Sequence, residues 1–215
     1  MERIICLAIG YVFGMFQTSY IIGKVHHMDI RQYGSGNAGT TNALRTLGKK
    51  AGAMTLIGDM LKCVIAILVV NAAFKNNYGD ILPLLGMYTA AGCVLGHNFP
   101  FYLGFRGGKG IAASAGMLLA MDWRVFLICA VIFAGIVVAT RYVSLGSMAA
   151  YAGALICFVV FGAMGSYGMD YFHTFEMDII MGLMTVLAIY RHRANIVRLL
   201  KGTENKLGAG KTASK

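Results

Sequence analysis

Seven apolar segments follow one another along this 215-residue chain and leave little polar sequence between them. A hydrocarbon core about 30 Å thick needs roughly 20 apolar residues per helix, and a helix satisfies its own backbone there. The chain is 58% hydrophobic and 13% charged, whereas a soluble domain is about a quarter charged. We therefore predict an all-α integral membrane protein with about seven transmembrane helices. The candidate spans lie at residues 4–23, 51–72, 81–99, 108–121, 125–140, 143–164 and 175–190.

The segment at 108–121 is short for a crossing, and a tilted or partly re-entrant helix is the alternative there. The basic residues favour a full crossing, because cytoplasmic loops carry an excess of Lys and Arg. With the N-terminus outside and the C-terminus cytoplasmic, seven crossings put fifteen of the 19 basic residues in cytoplasmic loops. Residues 1–207 then form a single polytopic membrane domain, and residues 208–215 are predicted to be a disordered basic tail.

The net charge of +10 has two explanations, namely attraction of the inner loops to an anionic leaflet and binding of a phosphorylated substrate. Nucleic acid is not a predicted partner, because the charges flank lipid-spanning segments instead of forming a soluble basic face. The five cysteines are scattered singly, without a CxxC motif or a Cys/His cluster. Neither a disulfide framework nor a metal site is therefore predicted, and no cofactor is expected.

Three glycine-rich, basic stretches lie at the ends of apolar segments, all on the predicted cytoplasmic side. They are Tyr33–Arg45, Gly96–Gly110 and Arg191–Glu204. Proteins hold phosphate with open backbone N–H groups and fixed positive charge. The three stretches together predict a site for a phosphorylated compound at the lipid boundary.

The first stretch contains the letters GxGxxG over Gly34–Gly39, but a dinucleotide site needs a preceding strand and a βαβ unit that this chain lacks. Its glycines let the backbone approach a ligand, and Ser35, Thr40 and Thr41 offer hydroxyl groups. Asn42 and Arg45 follow on a predicted helix whose N-terminus suits an anion. The alternative is a membrane-surface loop rich in turn residues.

The second stretch contains Gly107–Gly110 (GGKG), which resembles a phosphate loop but lacks the Walker spacing, so a nucleotide triphosphatase is not predicted. A lysine in a glycine nest, here Lys109, can still bind a monophosphate. His97, Asn98 and Pro100 break the end of the third span and leave polar backbone that must line a cavity. For His97, a capped residue at a helix end is the alternative.

Polar residues also occur at two further span positions. Behind Arg141, Ser144 and Ser147 are one helical turn apart, so both can face one site, although serines also join membrane helices to one another. Asp59 and Lys62 lie at i, i+3 within the second span and can neutralise each other. Such a pair is either a structural ion pair or a direct part of the site.

With these residues in order, the chain resembles the bacterial membrane acyl-phosphate:glycerol-3-phosphate acyltransferases, the PlsY family. Each motif is weak alone, but the ordered set runs from the first helix to the last and is specific. The first matches are Ser19-Tyr20, Gly23 and Asp29-x-Arg31-x-x-Gly34-Ser35-Gly36-Asn37-x-Gly39-x-Thr41-Asn42-x-x-Arg45. The others are Asp59-x-x-Lys62, Gly96-His97 with Pro100, Gly107-Gly108-Lys109-Gly110, Arg141-Tyr142-x-Ser144-x-x-Ser147 and His192-x-x-Asn195-Ile196-x-Arg198-Leu199-x-x-Gly202-x-Glu204.

The resemblance implies transfer of a fatty acyl group from acyl phosphate to the 1-hydroxyl of sn-glycerol 3-phosphate, which gives lysophosphatidic acid and phosphate. It also implies a multi-pass protein of the bacterial inner membrane with its active site at the cytoplasmic face, and a functional link to a soluble enzyme that makes acyl phosphate. The reaction needs no covalent acyl-enzyme, and the hydroxyl proton goes either to His192 or to the leaving phosphate.

The implied catalytic residues are Ser35, Arg45, His192 and Asn195. Ser144 and Ser147 are interchangeable candidates for a substrate contact, and Glu204 is expected to organise the last motif. The full implied substrate-binding set is Gly36, Asn37, Gly39, Thr41, Asn42, His97, Gly107, Gly108, Lys109, Gly110, Arg141, Ser144, Ser147 and Glu204.

Two other classes of protein compete with the enzyme. A transporter of a phosphorylated small solute fits the basic loops and a broken helix, but it also needs polar groups toward the outside, where the loops are short. A non-catalytic membrane assembly subunit has no need for these Gly-Ser-Asn-Arg clusters. The run His173–Asp178 has the His-x4-Asp pattern of thioester-dependent acyltransferases, but its predicted outer position excludes it from the site.

Overall fold

The computed structural model describes residues 1–208, and this part of the chain is helical, without a strand. The predicted all-α membrane architecture is therefore confirmed, and residues 209–215 of the predicted tail lie outside the described part. The helices are α1 (Glu2–Gly14), α2 (Thr18–Val25), α3 (Thr40–Leu47), α4 (Lys49–Phe74), α5 (Leu82–Asn98), α6 (Ile111–Met121), α7 (Trp123–Thr140), α8 (Val143–Ala163), α9 (Tyr171–Arg191) and α10 (Arg193–Leu200). Short 3₁₀ turns occupy Ile30–Gln32, Gly79–Ile81 and Phe101–Leu103.

Six stretches are long and apolar enough to cross a membrane, and they match six of the seven predicted spans. The stretch predicted at 108–121 forms α6, whose 11 residues correspond to about 16 Å of helix. This is about half the thickness of a hydrocarbon core. Seven full crossings, and the orientation with the C-terminus in the cytoplasm, stay predictions.

The first span was expected to be one continuous helix over residues 4–23, and this expectation was wrong. The chain leaves the helix after Gly14 and resumes at Thr18, with Gln17 in an extended conformation at the start of α2. The carbonyl groups freed by the break are bonded from α4, because Lys62 Nζ lies 3.1 Å from Gly14 O and 2.5 Å from Phe16 O. A lysine distant in sequence therefore stabilises a helix break that the local sequence does not predict.

The closest helix pair consists of α1 and α5, which cross at glycines on both sides. A Cβ atom on Gly10 would lie 1.9 Å from Thr89 O, and one on Gly92 would lie 2.0 Å from Leu7 O. Gly14 and Gly96 continue the same contact one turn further along each helix. Small residues spaced by four let membrane helices approach this closely, so these glycines allow α5 to pack directly against α1.

The span that contains α5 is the most enclosed of the six. In its apolar stretch 61% of the residues are buried, compared with 11% in the span of α7. Met87 of α5 packs in an apolar core with residues of α4, α6, α8 and α9, including Cys63, Met117, Phe158 and Met177. The carboxyl end of α5 points to the loop that carries Gly107–Gly110. This arrangement joins the second predicted phosphate-binding stretch to the most enclosed helix of the bundle.

Candidate active site

One large cavity of about 1210 Å³ opens where the three glycine-rich stretches meet. Its polar end includes Arg45, Lys109, Arg191 and Arg198, so several cationic side chains converge on one space. The same cavity continues between α6, α7, α8 and α9 as an apolar branch. The branch is lined by residues that include Met117, Leu118, Phe126, Phe133, Ala154 and Met181.

Sixteen of the eighteen predicted site residues line this cavity, and the structure therefore brings together stretches far apart in sequence. They are Ser35, Gly36, Asn37, Gly39, Thr41, Asn42, Arg45, His97, Gly107, Lys109, Gly110, Ser144, Ser147, His192, Asn195 and Glu204. Gly108 and Arg141 do not line it. Arg141 is exposed, and its Nε donates to Leu207 O at 2.9 Å, so this side chain fastens the C-terminal segment outside the cavity.

The first loop is shaped by Asn42, which is buried on α3. Its side-chain amide donates to Ile30 O and Tyr33 O, and its Oδ1 accepts the N–H of Ser35 at 2.8 Å. These bonds hold Ser35, which is exposed, at the cavity. Gly39 caps α3 without a side-chain bond, which leaves the first N–H groups of this helix without a side-chain acceptor, and Thr40, Thr41 and Arg45 line the same cavity. The loop thus combines a helix N-terminus with a cation, an arrangement that suits an anion.

The glycine loop differs from the expected open nest at its first two positions. The N–H of Gly107 donates to Asn98 O at 3.2 Å, and the N–H of Gly108 donates to His97 O at 3.0 Å. Among the described residues, the N–H groups of Lys109 and Gly110 have no hydrogen-bond acceptor. The donors left for an anion are therefore those of Lys109, Gly110 and the first turn of α6, while Gly107 and Gly108 serve packing.

Lys109 directs its ammonium group into the polar end and donates a hydrogen bond to Asn195 Oδ1. Burial is the main cause that lowers the pKa of Lys109 to about 8; Glu204 acts to raise this pKa, and Arg198, Arg191 and Arg45 act to lower it. A buried cation with few fixed partners is well suited to an anionic ligand. Arg191 is committed to the loop itself, because its Nη2 donates to Gly107 O and, at 2.6 Å, to Gly108 O.

Glu204 gathers three parts of the last stretch around one buried carboxylate. Its Oε1 accepts from Ser144 Oγ at 2.8 Å and from Asn195 Nδ2 at 2.6 Å, and its Oε2 accepts from Arg198 Nε at 2.7 Å. Burial acts to raise the pKa of Glu204, but these hydrogen bonds outweigh it and lower the pKa below the ordinary value. Both oxygens of the charged carboxylate accept hydrogen bonds from the protein, which fits an organising role and not that of a base.

His192 lies between α9 and α10 with its Nδ1 2.7 Å from Ala188 O. A carbonyl oxygen only accepts, so Nδ1 carries the hydrogen and Nε2 holds a free electron pair. Burial first, and then the charge of Lys109, lowers the pKa of His192 to about 4. The imidazole is therefore neutral near pH 7 and can accept a hydrogen bond but attracts a proton only weakly.

Four residues that take part in this architecture were outside the predicted set of site residues. Arg191 and Arg198 line the cavity, and both lie in the third glycine-rich stretch, so their charge was the available signal. Gln17 is fully buried and donates to His97 O at 2.9 Å, and a lone glutamine within an apolar span was its signal. Thr40, whose hydroxyl group was noted in the first stretch but not included in that set, also lines the cavity beside Thr41.

The pattern His173-x4-Asp178 lies near the start of α9, at the opposite end of this helix from Arg191 and the polar end of the cavity. His173 Nδ1 contacts Asp170 Oδ2 at 2.6 Å, as part of the cap of α9. Neither His173 nor Asp178 lines the cavity, in agreement with its exclusion from the site.

The fold and the cavity define an integral membrane protein in which cationic, N–H-rich loops meet an apolar groove. The sequence model of the family described as glycerol-3-phosphate acyltransferase matches residues 4–202. The chain belongs to this family. The glycerol-3-phosphate acyltransferase of Clostridioides difficile strain 630 is 46% identical over 211 residues, which cover 97% of each chain. That of Lactiplantibacillus plantarum is 39% identical and covers 98% of this chain and 94% of its own length.

Solved structures agree with this assignment. A crystal structure of PlsY, described as an integral membrane glycerol 3-phosphate acyltransferase in its glycerol 3-phosphate form, superposes with a TM-score of 0.82 and 33% identity. The match covers 97% of this chain and 96% of that one. The lysophosphatidic acid form superposes with a TM-score of 0.79 and 32% identity. The predicted family is confirmed, and glycerol-3-phosphate acyltransferase activity, with a place in phospholipid synthesis, is favoured over transport.

Proposed function

We propose that the chain transfers a fatty acyl group from acyl phosphate to the 1-hydroxyl of sn-glycerol 3-phosphate at the cytoplasmic face of a bacterial inner membrane. The observation that carries the proposal is the single cavity with a cationic, N–H-rich end and an apolar branch. Such a space accommodates two phosphate groups and one fatty chain together. A soluble enzyme that makes acyl phosphate would then supply the donor.

The polar end supports binding of two anions close together. Arg45 and Lys109 offset the repulsion between the phosphate groups, and the N-termini of α3 and α6 add oriented N–H donors. Ser35 and Ser147 offer hydroxyl groups at the same cavity. Holding both substrates in reacting geometry can contribute about 7–11 kcal/mol to lowering the barrier.

The proposed step forms one bond and breaks one. The 1-hydroxyl oxygen attacks the acyl carbon, the bond between that carbon and the phosphate oxygen breaks, and inorganic phosphate leaves. The hydroxyl proton ends on phosphate, which makes the reaction substrate-assisted. Acyl phosphate is an activated mixed anhydride, so the step needs no covalent acyl-enzyme.

The state of His192 supports phosphate as the proton acceptor. A histidine with a pKa of about 4 is a weak base near pH 7, but its free Nε2 can accept a hydrogen bond from the attacking hydroxyl and orient it. Asn195, held by Glu204 and Lys109, places a further polar group beside the reacting atoms. If His192→Gln kept near-normal turnover but lost affinity for glycerol 3-phosphate, the histidine-base alternative would be wrong.

The proposal is tested by offering the purified protein labelled glycerol 3-phosphate together with palmitoyl phosphate, palmitoyl-CoA or palmitoyl acyl carrier protein, each separately. We expect labelled lysophosphatidic acid from palmitoyl phosphate alone. Product from a thioester donor would show that the proposed donor is wrong. Absence of product with every donor, in protein shown to be folded, would return transport to consideration and call for uptake into sealed vesicles.

The lowered pKa of Lys109 predicts a pH dependence. Lys109 is charged below about pH 8 and loses its charge as the pH rises through that value. Because the phosphate of glycerol 3-phosphate stays dianionic above its second pKa of about 6, kcat/KM for this substrate should fall between pH 8 and pH 9.5 or so. Lys109→Arg keeps the charge throughout this range and is the control. A parallel decline in that variant would assign the pH dependence to another group.

The apolar branch predicts which residue limits acyl-chain length. Ala154 is buried at the cavity ten positions beyond Ser144 on α8, which corresponds to about 15 Å along the helix. Ala154→Phe should fill this end and shift the preference toward shorter acyl phosphates, measured as the ratio of kcat/KM for lauroyl and palmitoyl phosphate. Ala152→Phe, at an exposed position of the same helix, should leave the ratio unchanged. Equal ratios in both variants would show that the fatty acyl chain does not bind beside Ala154.

A further inference from the structure

Two ionisable residues of α4 lie inside the membrane-spanning bundle and outside the cavity. Asp59 and Lys62 are 1% and 6% exposed, and Lys62 Nζ lies 3.0 Å from Asp59 Oδ1. Removing two charges from water is costly, and a buried ion pair by itself is weak evidence for stability. The predicted mutual neutralisation is present, and the partners of the pair indicate what it does.

Lys62 joins the break between α1 and α2 to the carboxyl end of α5. Besides Asp59, its ammonium group contacts the carbonyl oxygens of Gly14 and Phe16, and it lies 2.8 Å from His97 Nδ1. An ammonium group has three hydrogens, which these four contacts share, and it cannot accept a hydrogen bond. His97 Nδ1 is therefore the acceptor, and the hydrogen of the neutral imidazole is carried by Nε2.

The Nε2 side of His97 faces the gap between the two phosphate-binding loops. A Cβ atom on Gly108 would lie 2.0 Å from His97 Nε2 and 2.9 Å from Ala38 O, so the ring edge packs against Gly108 at a point that the first loop also approaches. His97 lines the cavity, and within residues 1–208 its Nε2 has no hydrogen-bond partner. The backbone is fixed as well, because His97 O accepts from the N–H of Gly108 and from Gln17 Nε2.

We propose that Lys62 is a positioning residue that fixes the hydrogen of His97 on Nε2, so that His97 donates a hydrogen bond to an anionic oxygen of the bound substrates. The proposal rests on the proposed acyl transfer at this cavity. Asp59 completes this arrangement, since it neutralises the charge of Lys62 and accepts a hydrogen bond from Thr18 Oγ1 at 3.0 Å. His97 is then a neutral donor for the phosphate or the developing oxyanion, and it takes no proton during the reaction.

The first test is spectroscopic and needs no turnover. In the full-length protein labelled with ¹⁵N-histidine, NMR distinguishes the protonated ring nitrogen from the unprotonated one, and His97→Gln identifies the signal. We expect the wild-type His97 to carry its hydrogen on Nε2, and Lys62→Met to shift the population toward Nδ1–H. Lys75→Met, at an exposed loop position, is the control for loss of a lysine. A wild-type His97 protonated on Nδ1 would overturn the proposal.

The second test separates the two ring nitrogens by substitution. The amide of His97→Gln reaches the level of Nε2 and can donate into the cavity, whereas the shorter amide of His97→Asn reaches the level of Nδ1 and can only replace the contact with Lys62. We expect kcat/KM to fall about 10–100-fold in His97→Asn and less than about tenfold in His97→Gln. The reverse order would show that His97 acts only through packing against Lys62.

The two tests also distinguish this inference from the proposed reaction. If the wild-type protein fails to use acyl phosphate, the proposed donor is wrong, and the ¹⁵N spectrum still decides the tautomer of His97. If the wild-type protein uses acyl phosphate and His97 is protonated on Nδ1, the reaction stands and the role of Lys62 is wrong.

Discussion

Gly107→Ala should lower kcat/KM for acyl transfer by at least about 100-fold, because the loop that carries Lys109 has no room for a methyl group. A Cβ atom at this position would lie 2.0 Å from His97 O, 2.7 Å from Pro100 Cδ and 3.1 Å from Asn98 O. Two of these atoms are backbone at the rigid end of α5, so the loop must move away. A displacement of about 1 Å at a reacting group is enough for this loss.

The matched control is Gly79→Ala, where nothing lies within 4 Å of the added carbon and activity should be unchanged. Initial rates of lysophosphatidic acid formation, together with unfolding temperatures in detergent, separate loss of activity from loss of fold. Overpacking of this kind destabilises by about 1–3 kcal/mol, so the variant should still fold. Full activity in Gly107→Ala would mean that the loop adjusts freely and that its packing is not required.

Glu204→Gln should abolish most of the activity and destabilise the C-terminal segment. The buried carboxylate accepts from Ser144, Asn195 and Arg198, and a neutral amide leaves Arg198 without its counter-charge. Removing one partner of a buried, hydrogen-bonded charge pair costs about 2–5 kcal/mol. Since Asn195 also accepts from Lys109, the disturbance should reach the cationic end of the cavity.

Asp80→Asn, at an exposed carboxylate in the turn before α5, is the control and should be neutral. Hydrogen exchange at the backbone of α10 reports local opening, and the rate of acyl transfer reports the site. Unchanged exchange with lost activity would make Glu204 a direct participant in the reaction. Unchanged activity would remove it from the site altogether.

The sequence predicted the parts of this molecule that depend on local composition. Six of the seven predicted spans are stretches long and apolar enough to cross a membrane, and Asp59 and Lys62 pair as their spacing indicates. The ordered polar motifs also predicted which residues share a cavity. Each of these features follows from periodicity, charge or the spacing of residues on one helix.

The features that sequence reasoning missed depend on contacts between distant segments. At the break before Gln17, the free carbonyl groups accept hydrogen bonds from Lys62, and nothing in the local sequence predicts this break. The glycine pattern at Gly107 predicted open N–H groups. In the structure, carbonyl groups at the end of α5 accept hydrogen bonds from the N–H groups of Gly107 and Gly108, and this contact exists only after folding. Arg141 was assigned to the site by motif position, yet its backbone adopts a left-handed conformation that turns it to Leu207.

The shortness of α6 bears on how a water-soluble and a lipid substrate meet. Under the predicted seven-crossing arrangement, α6 reaches the outer surface at its C-terminus and its 11 residues cover about half of the hydrocarbon thickness, which places the polar end of the cavity at its N-terminus below the cytoplasmic headgroups. Under the proposed reaction, the acyl donor keeps its hydrocarbon chain in apolar surroundings while its anhydride reacts. Lifting that chain into water would cost about 0.8 kcal/mol for each methylene group, and the protein avoids this by bringing the hydrophilic substrate down instead.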